Sequence, residues 1–468
     1  MRRNMKSLKY IAKIACASLL LVACDNELDL APEDILTQEV AFSNETTTLG
    51  VLTGVYSTAQ QDDVLNGTNQ LMGDWMADNI DFVGSFPTFN EIRLYTTLSD
   101  NGSIAAVWDD NYEAIGGANL VIKNAPLVDD PNFTEEEKAN VVAQAKFLRA
   151  LVYYNISNWW AQPLQVAGAG TLSVPLVTEP FEGEVSFPER ATLGAVQAQI
   201  EQDLLEAIPA LADGGDRTIA SKGAAEALLA RLYLIQERWA EAADYANRVI
   251  QNPNYTLASN YDFYNTLDAE HVFTLVNTAA DGQDSGQGWS GLTSPVPTGR
   301  GDAPYSDNLI ATFAEEAGDL RYSELTVIGT DALGAERPFS SKFPEAINNS
   351  DNAPVIRITE MYLTRAEANF RGGTSVGDTP VNDINALRAR AGLTALGSVD
   401  LDQILNERRK ELCFEGFRRM DLLRNELNLR RPGMPNEAAS APGQPKTIFP
   451  IPVLQRDLNP NMEQNPGY

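Results

Sequence analysis

The chain has 468 residues and carries 64 Asp and Glu against 35 Lys and Arg, a formal net charge of −29. A surface that acidic repels phosphate backbones, which excludes nucleic acid as a partner. One histidine, His271, excludes His-rich zinc sites and gives a Ser-His-Asp arrangement a single candidate centre.

Arg2, Arg3, Lys6, Lys9 and Lys13 form a basic leader, and Ile14 to Val22 an apolar stretch broken only by Ser18. That is the layout of a secretory signal, too short to cross a bilayer as a helix. It ends in Leu21-Val22-Ala23-Cys24, which resembles the lipobox of bacterial lipoproteins. The expectation is a signal peptide over residues 1–23, cleaved to leave Cys24 as the lipidation site. Each buried acyl methylene adds about 0.8 kcal/mol, so several chains on one residue make a permanent membrane anchor. Cleavage removes five basic residues and no acidic one, which leaves 30 Lys and Arg against 64 Asp and Glu and a net charge near −34. Cys16 departs with the signal, so Cys413 is the only free thiol and the mature chain depends on core burial rather than disulfides. Residues 24–44, acidic after Cys24 and containing Pro32, read as a lipidated tether ahead of one large domain, 45–468.

Apolar spacing of three and four then predicts helices over residues 46–60, 104–124 and 135–160, the last opened by a Thr134/Glu137 capping box. Further helices are expected at 192–208, 221–237 and 239–251. The small residues of Ala224-Ala225-Glu226-Ala227 and Ala240-Glu241-Ala242-Ala243 let two helices approach closely, and this pair resembles one tetratricopeptide unit. Such a unit cannot bury its own face, so the earlier helices must stack on it. Arg238 and Trp239 stand where the turn of such units often has Gly, which predicts a tighter or differently capped turn. From about 252 to 350 Gly, Pro, Ser, Asn and Asp break the pattern into long loops. His271, directly before Val272-Phe273-Thr274-Leu275-Val276, reads as the edge of a short strand rather than as a catalytic group. Helices return at 356–371, 380–391 and 400–424, and prolines break the tail.

Ala145-Lys146-Phe147-Leu148-Arg149-Ala150-Leu151-Val152-Tyr153-Tyr154 resembles a helix of the SusD/RagB family of outer-membrane nutrient-uptake lipoproteins. Three later blocks resemble the same family in order: Ile356 to Ala368, Asn406 to Arg424, and Phe449-Pro450-Ile451-Pro452 with Gln464-Asn465-Pro466-Gly467-Tyr468. The loop at Trp159-Trp160-Ala161-Gln162-Pro163-Leu164 departs from the family pattern. The resemblance implies an all-α dominated fold, four tetratricopeptide-like helix pairs in an α-α superhelix with a loop-rich irregular lobe over 252–350 plus 62–100. It implies no catalysis, an oligosaccharide or peptide ligand, and a SusC-like TonB-dependent transporter as partner. The acidic run Asp25-Asn26-Glu27-Leu28-Asp29 resembles surface-export signals of such lipoproteins, which places the chain on the outer membrane facing the exterior.

Glu407, Glu411 and Glu415 recur every four residues among arginines, which hold carboxylates ionised rather than separating their pKa values for acid/base work. The block therefore reads as structural, with Gly416 ending or bending the helix. Sugar binding needs flat apolar surface with polar groups in the ring plane. Candidates are Trp75, Phe82, Phe86, Phe89, Asn90, Arg93 and Tyr95, in a stretch without regular helical pattern, and Trp289, Arg300, Asp302 and Tyr305 in the long loops. Trp289, flanked by Gly286, Gly288 and Gly291, is expected to be exposed, whereas Trp75, Trp108, Trp159 and Trp160 are expected to pack against helices. No cofactor is expected, though a structural or ligand-bridging calcium ion fits so acidic a chain. Three alternatives stay open: capture of peptides or another nutrient, a plain tetratricopeptide scaffold, and a surface glycoside hydrolase, which needs two carboxylates about 5 to 10 Å apart.

Overall fold

Polar caps fix where most frame helices begin. In the computed structural model, which describes residues 37–284 and 286–468, these are α1 (Glu45–Ala59), α2 (Gly102–Asn124), α3 (Glu135–Trp160), α4 (Leu193–Ala207), α5 (Lys222–Ile235), α6 (Trp239–Gln251), α7 (Ile358–Gly372), α8 (Pro380–Arg390) and α9 (Leu401–Leu412). Asn44, Asn101, Thr192, Ser221 and Thr379 each accept a backbone N–H of the first turn, and Thr134 and Glu137 form the expected capping box. Each such cap contributes about 1 kcal/mol. The signal peptide, Cys24 and the tether as far as residue 36 lie outside the described residues.

The first eight helices form four pairs, α1/α2, α3/α4, α5/α6 and α7/α8, and adjacent pairs touch through α2 on α3, α4 on α5 and α6 on α7. This is the helix-dominated, tetratricopeptide-like stack that the sequence implied. α3 is buried almost throughout its second half and α5 from Gly223 to Ile235. α6 turns Ala242, Ala243, Ala246 and Val249 inward, and the short side chains admit α5 on one side and α7 on the other. At the α5–α6 turn Glu237, not Gly, takes a positive φ of 60°, and Arg238 pairs with Glu201 at 2.8 Å to hold it.

The second lobe is more regular than its composition suggests. β1 (Leu172–Pro175) pairs with β2 (Arg190–Thr192), β3 (His271–Leu275) with β6 (Ala353–Arg357), and β4 (Thr326–Thr330) with β5 (Glu336–Ser340), all antiparallel. His271 opens β3 as predicted but is fully buried, and burial pushes its imidazole down to about 4, so it stays neutral. The 62–100 stretch holds two short helices, Thr68–Met76 and Pro87–Arg93, the second started by Pro87 at its first position. Gly67, Gly73, Gly84 and Pro87 had masked them.

The helix expected over 400–424 is broken. α9 stops at Leu412, Phe414 and Gly416 adopt positive φ (65° and 84°), and helix resumes only over Arg418–Leu423. Asp74 holds this turn by accepting Phe414 N at 3.2 Å and Gly416 N at 3.1 Å. A Cβ on Gly416 would lie 2.7 Å from Gln70 Cβ, so the close approach requires glycine.

Around the turn lies a buried ionic network. Glu407 pairs with Arg321 (2.6 Å) and Arg388 (2.7 Å), Glu411 with Arg390 (2.9 Å), and Glu415 with Lys342 (2.7 Å) and Arg357 (2.9 Å). Glu270, directly before β3, bridges Arg357 and Arg390. The partners come from distant segments, not from the same helix as the four-residue spacing suggested. Burial alone would raise the Glu415 pKa, but Arg357 and Lys342 outweigh it and hold the carboxyl at about 2. Removing one member of such a set strands the others, typically at a cost of about 3–5 kcal/mol. Glu411→Ala is therefore expected to lower unfolding stability by about that amount, read as a shifted urea midpoint, and an unchanged midpoint would show that Arg390 and Arg321 find other partners.

Candidate functional site

The two stretches proposed from sequence meet. Residues 80–83 run antiparallel to 302–305, with Ile80 bridged to Tyr305, Asp81 N donating to Pro304 O at 3.1 Å and Val83 N to Asp302 O at 2.8 Å. Gly84 permits the approach, since a Cβ there would sit 2.5 Å from the Phe82 ring and 2.6 Å from Asp302 Cγ. Trp75, Phe82 and Phe89 pack into one aromatic cluster with ring centroids 4.9–5.9 Å apart, and Phe86 rests on Phe89 at 4.9 Å. All but Phe86 are buried.

Only the outer layer of this seam meets solvent. The Arg300 guanidinium lies 4.2 Å from the Phe86 ring centroid while its Nε donates to Asp302 at 2.7 Å. Asn90 donates to Gly84 O and Phe86 O and accepts from Arg93 Nε at 2.8 Å, so both polar side chains are held in place. Phe86, Asn90, Arg93 and Arg300 are half-buried. The tip of the β4–β5 hairpin joins them: Ala332 N donates to Gly301 O, and Leu333 beside it is 76% exposed. Val296, bridged to Thr330, is also exposed. The result is a shallow platform of an aromatic ring, a planar guanidinium and apolar tips, with amide and guanidinium groups at its edge. The hairpin's part in it had no sequence signal beyond the turn at Asp331 to Gly334.

Several candidates serve as support instead. Trp75, Phe82, Phe89, Tyr95, Asp302 and Tyr305 are buried. Asp302, its carboxyl raised by burial against the opposing pull of Arg300, fixes the guanidinium over Phe86. The expectation that Trp289 is exposed is corrected: it is 3% exposed and stacks on Phe343 at 4.7 Å. Two of its flanking glycines admit close neighbours rather than solvent, since a Cβ on Gly288 would lie 2.5 Å from Gln283 Oε1 and one on Gly291 2.7 Å from the Gly286 carbonyl carbon. Trp108, Trp159 and Trp160 pack in the core as expected.

A separate acidic pocket of about 310 Å³ is lined by Asp62, Asp63, Asp110, Asp281 and Asp284. Burial, reinforced by neighbouring aspartates, pushes Asp62 up to about 8 and Asp63 to about 7. Among the described residues no group of three or more His, Cys, Asp or Glu is placed to hold a metal ion.

Two family models match the chain, one described as the SusD family over residues 339–468 and one as starch-binding associating with outer membrane over 28–234. A SusD-like protein of Formosa agariphila is 28% identical over 98% of this chain and 100% of its own length. A crystal structure of a SusD superfamily protein from Bacteroides thetaiotaomicron superposes with a TM-score of 0.82 at 24% identity, covering 90% of this chain and 99% of that one. A laminarin binding SusD-like protein superposes with a TM-score of 0.74 at 27% identity, covering 91% and 100%.

The raised carboxyls make the fold bind protons that the unfolded chain, titrating near 4, has already released. Stability contributed by Asp62 therefore falls as pH rises from about 4 towards 8. Asp62→Asn is expected to raise the melting temperature at pH 8 and to converge with the parent as pH falls to 4–5. A constant difference across that range would place the effect elsewhere than in this ionisation.

Proposed function

Because the chain belongs to the SusD family, we propose that it captures an oligosaccharide or polysaccharide at the cell surface and delivers it to a SusC-like TonB-dependent transporter. The observation that carries the reading is the Phe86–Arg300 platform, an apolar ring and a flat guanidinium on one surface with Asn90 and Arg93 at hydrogen-bonding height. A pyranose presents axial C–H groups to such a face and hydroxyls to its edge. Asp302 and the aromatic cluster beneath hold the platform rigid, which limits the entropy lost on binding. The excess of acidic residues favours a neutral glycan over an acidic one. The starch and laminarin of its relatives' descriptions are neutral glucans and are the first ligands to try.

The same reading is of binding rather than catalysis, and it is supported by Glu407, Glu411 and Glu415 each being locked between cations inside the protein. Lipid on Cys24 and the tether after it keep the protein attached to the outer membrane, on its outer face, while it moves relative to the transporter.

Affinity electrophoresis against a panel containing laminarin, starch and an acidic polysaccharide tests this. Arg300→Ala, which removes the guanidinium face, is expected to weaken binding of the retained neutral glycan about tenfold, the equivalent of about 1.4 kcal/mol. Retardation by no glycan, with clear binding of peptides, would overturn the reading.

A further inference from the structure

A cavity of about 100 Å³ opens where α3 and α5 face β6 and the turn after α9, and neither Phe86 nor Arg300 lines it. Its walls are aromatic, from Trp159, Trp289 and Phe417. Tyr154, Asn155 and Met420 of the lining are half-buried. Three buried or half-buried donors in the lining have no acceptor among the described residues. Arg231 grips Glu360 with Nε and Nη2 at 2.7 and 2.6 Å, and Nη2 also donates to Val355 O, but its Nη1 has no partner. Trp289 Nε1 is buried without an acceptor. Tyr154 makes no hydrogen bond through its hydroxyl, although its ring lies 5.7 Å from the Arg231 guanidinium carbon.

The charge in this wall is also unbalanced. Arg419 is buried over the Trp159 ring at 4.6 Å and donates only to the carbonyls of Asn158 and Thr447 and weakly to the Met420 sulfur, with no carboxylate beside it among the described residues. Glu415, the one carboxylate in the lining, is committed to Lys342 and Arg357. A guanidinium and an indole only donate hydrogen bonds, so the complementary ligand is rich in acceptors and negatively charged. An apolar cavity of about 150 Å³ holds one benzene, so the space here suits roughly four to six heavy atoms and is too small for a pyranose ring.

We propose that this cavity is a second binding site, for a small organic carboxylate. Arg231 Nη1, Trp289 Nε1 and the Tyr154 hydroxyl donate to its oxygens, Leu65 and Leu151 of the lining cover its carbon end, and the Arg419 charge is balanced by its own. The site is independent of the glycan platform and stands or falls without it.

Isothermal titration of the full chain with sodium acetate, against sodium chloride at matched ionic strength and against acetamide, tests the proposal. Acetate should bind saturably and acetamide, of the same shape but uncharged, at least tenfold more weakly. Tyr154→Phe deletes only the hydroxyl and should weaken acetate at least threefold with an unchanged melting temperature in the absence of acetate; Trp289→Phe keeps a ring on Phe343 while deleting the N–H and should also weaken acetate at least threefold, with a melting temperature lowered by the lost buried volume. Acetate heats equal to those of chloride, equal binding of acetamide, or parent-like acetate affinity in both variants would overturn it. Should one variant fold poorly, the other and the acetate–acetamide comparison still decide.

Discussion

Glu411 and Glu415 sit inside the molecule with their charges intact, and the groups that neutralise them come from segments far apart in the chain. Arg321 precedes the β4–β5 hairpin, Lys342 follows it, Arg357 closes β6, and Arg390 ends α8. A buried carboxylate left unpaired costs several kcal/mol, so these segments can be placed only where the network is complete. Replacing the whole set by apolar side chains of equal volume need not weaken a protein, so what the network supplies is position more than stability. It ties the irregular lobe to the stack of helix pairs, and through Asp74, which caps the turn at Phe414 and Gly416, it reaches the helix that carries Trp75.

The proposed ligand platform depends on that placement. Trp75 anchors the aromatic cluster on which Phe86 rests, and Asp302, docked against Val83, aims Arg300 across the ring. A rigid frame under a shallow, partly apolar surface is the arrangement in which binding loses little conformational entropy. The carboxylates of the network are consumed by structural pairing, which leaves the surface to recognition. Asp62 and Asp63 at the acidic pocket are a different case, since among the described residues no cation pairs with them and burial shifts them towards the protonated form.

Long periodic helices were legible in the sequence to within one to three residues, as the segments predicted at 46–60, 135–160 and 239–251 and found at 45–59, 135–160 and 239–251 illustrate. Their signal is local, made of spacing and caps. Gly416 marked an end or bend within 400–424, but the stop already at Leu412 was hidden, because the four-residue spacing of Glu407, Glu411 and Glu415 imitates a continuous helix while their cationic partners lie 19 to 90 residues upstream. Trp289 misled for a related reason. Glycines around it suggested open loop, yet a Cβ on Gly67 would lie 2.4 Å from Trp289 N and one on Gly288 2.5 Å from Gln283 Oε1, so the glycines are there to admit close packing. Both stretches named for ligand contacts do converge, but sequence could not separate Phe86 and Arg300, which face outward, from Trp75, Phe82 and Tyr305, which support them, since that division is set by tertiary contacts.

Hydrogen exchange read by mass spectrometry, with and without a saturating neutral oligosaccharide that the protein retains, tests the central claim most directly. Capture at the platform predicts slowed exchange over residues 84–94 and 296–302, with the helix pairs α3/α4 and α5/α6 unchanged. Protection confined to those helix pairs or to the acidic pocket at 60–63 and 281–284, with none over 84–94, would contradict it.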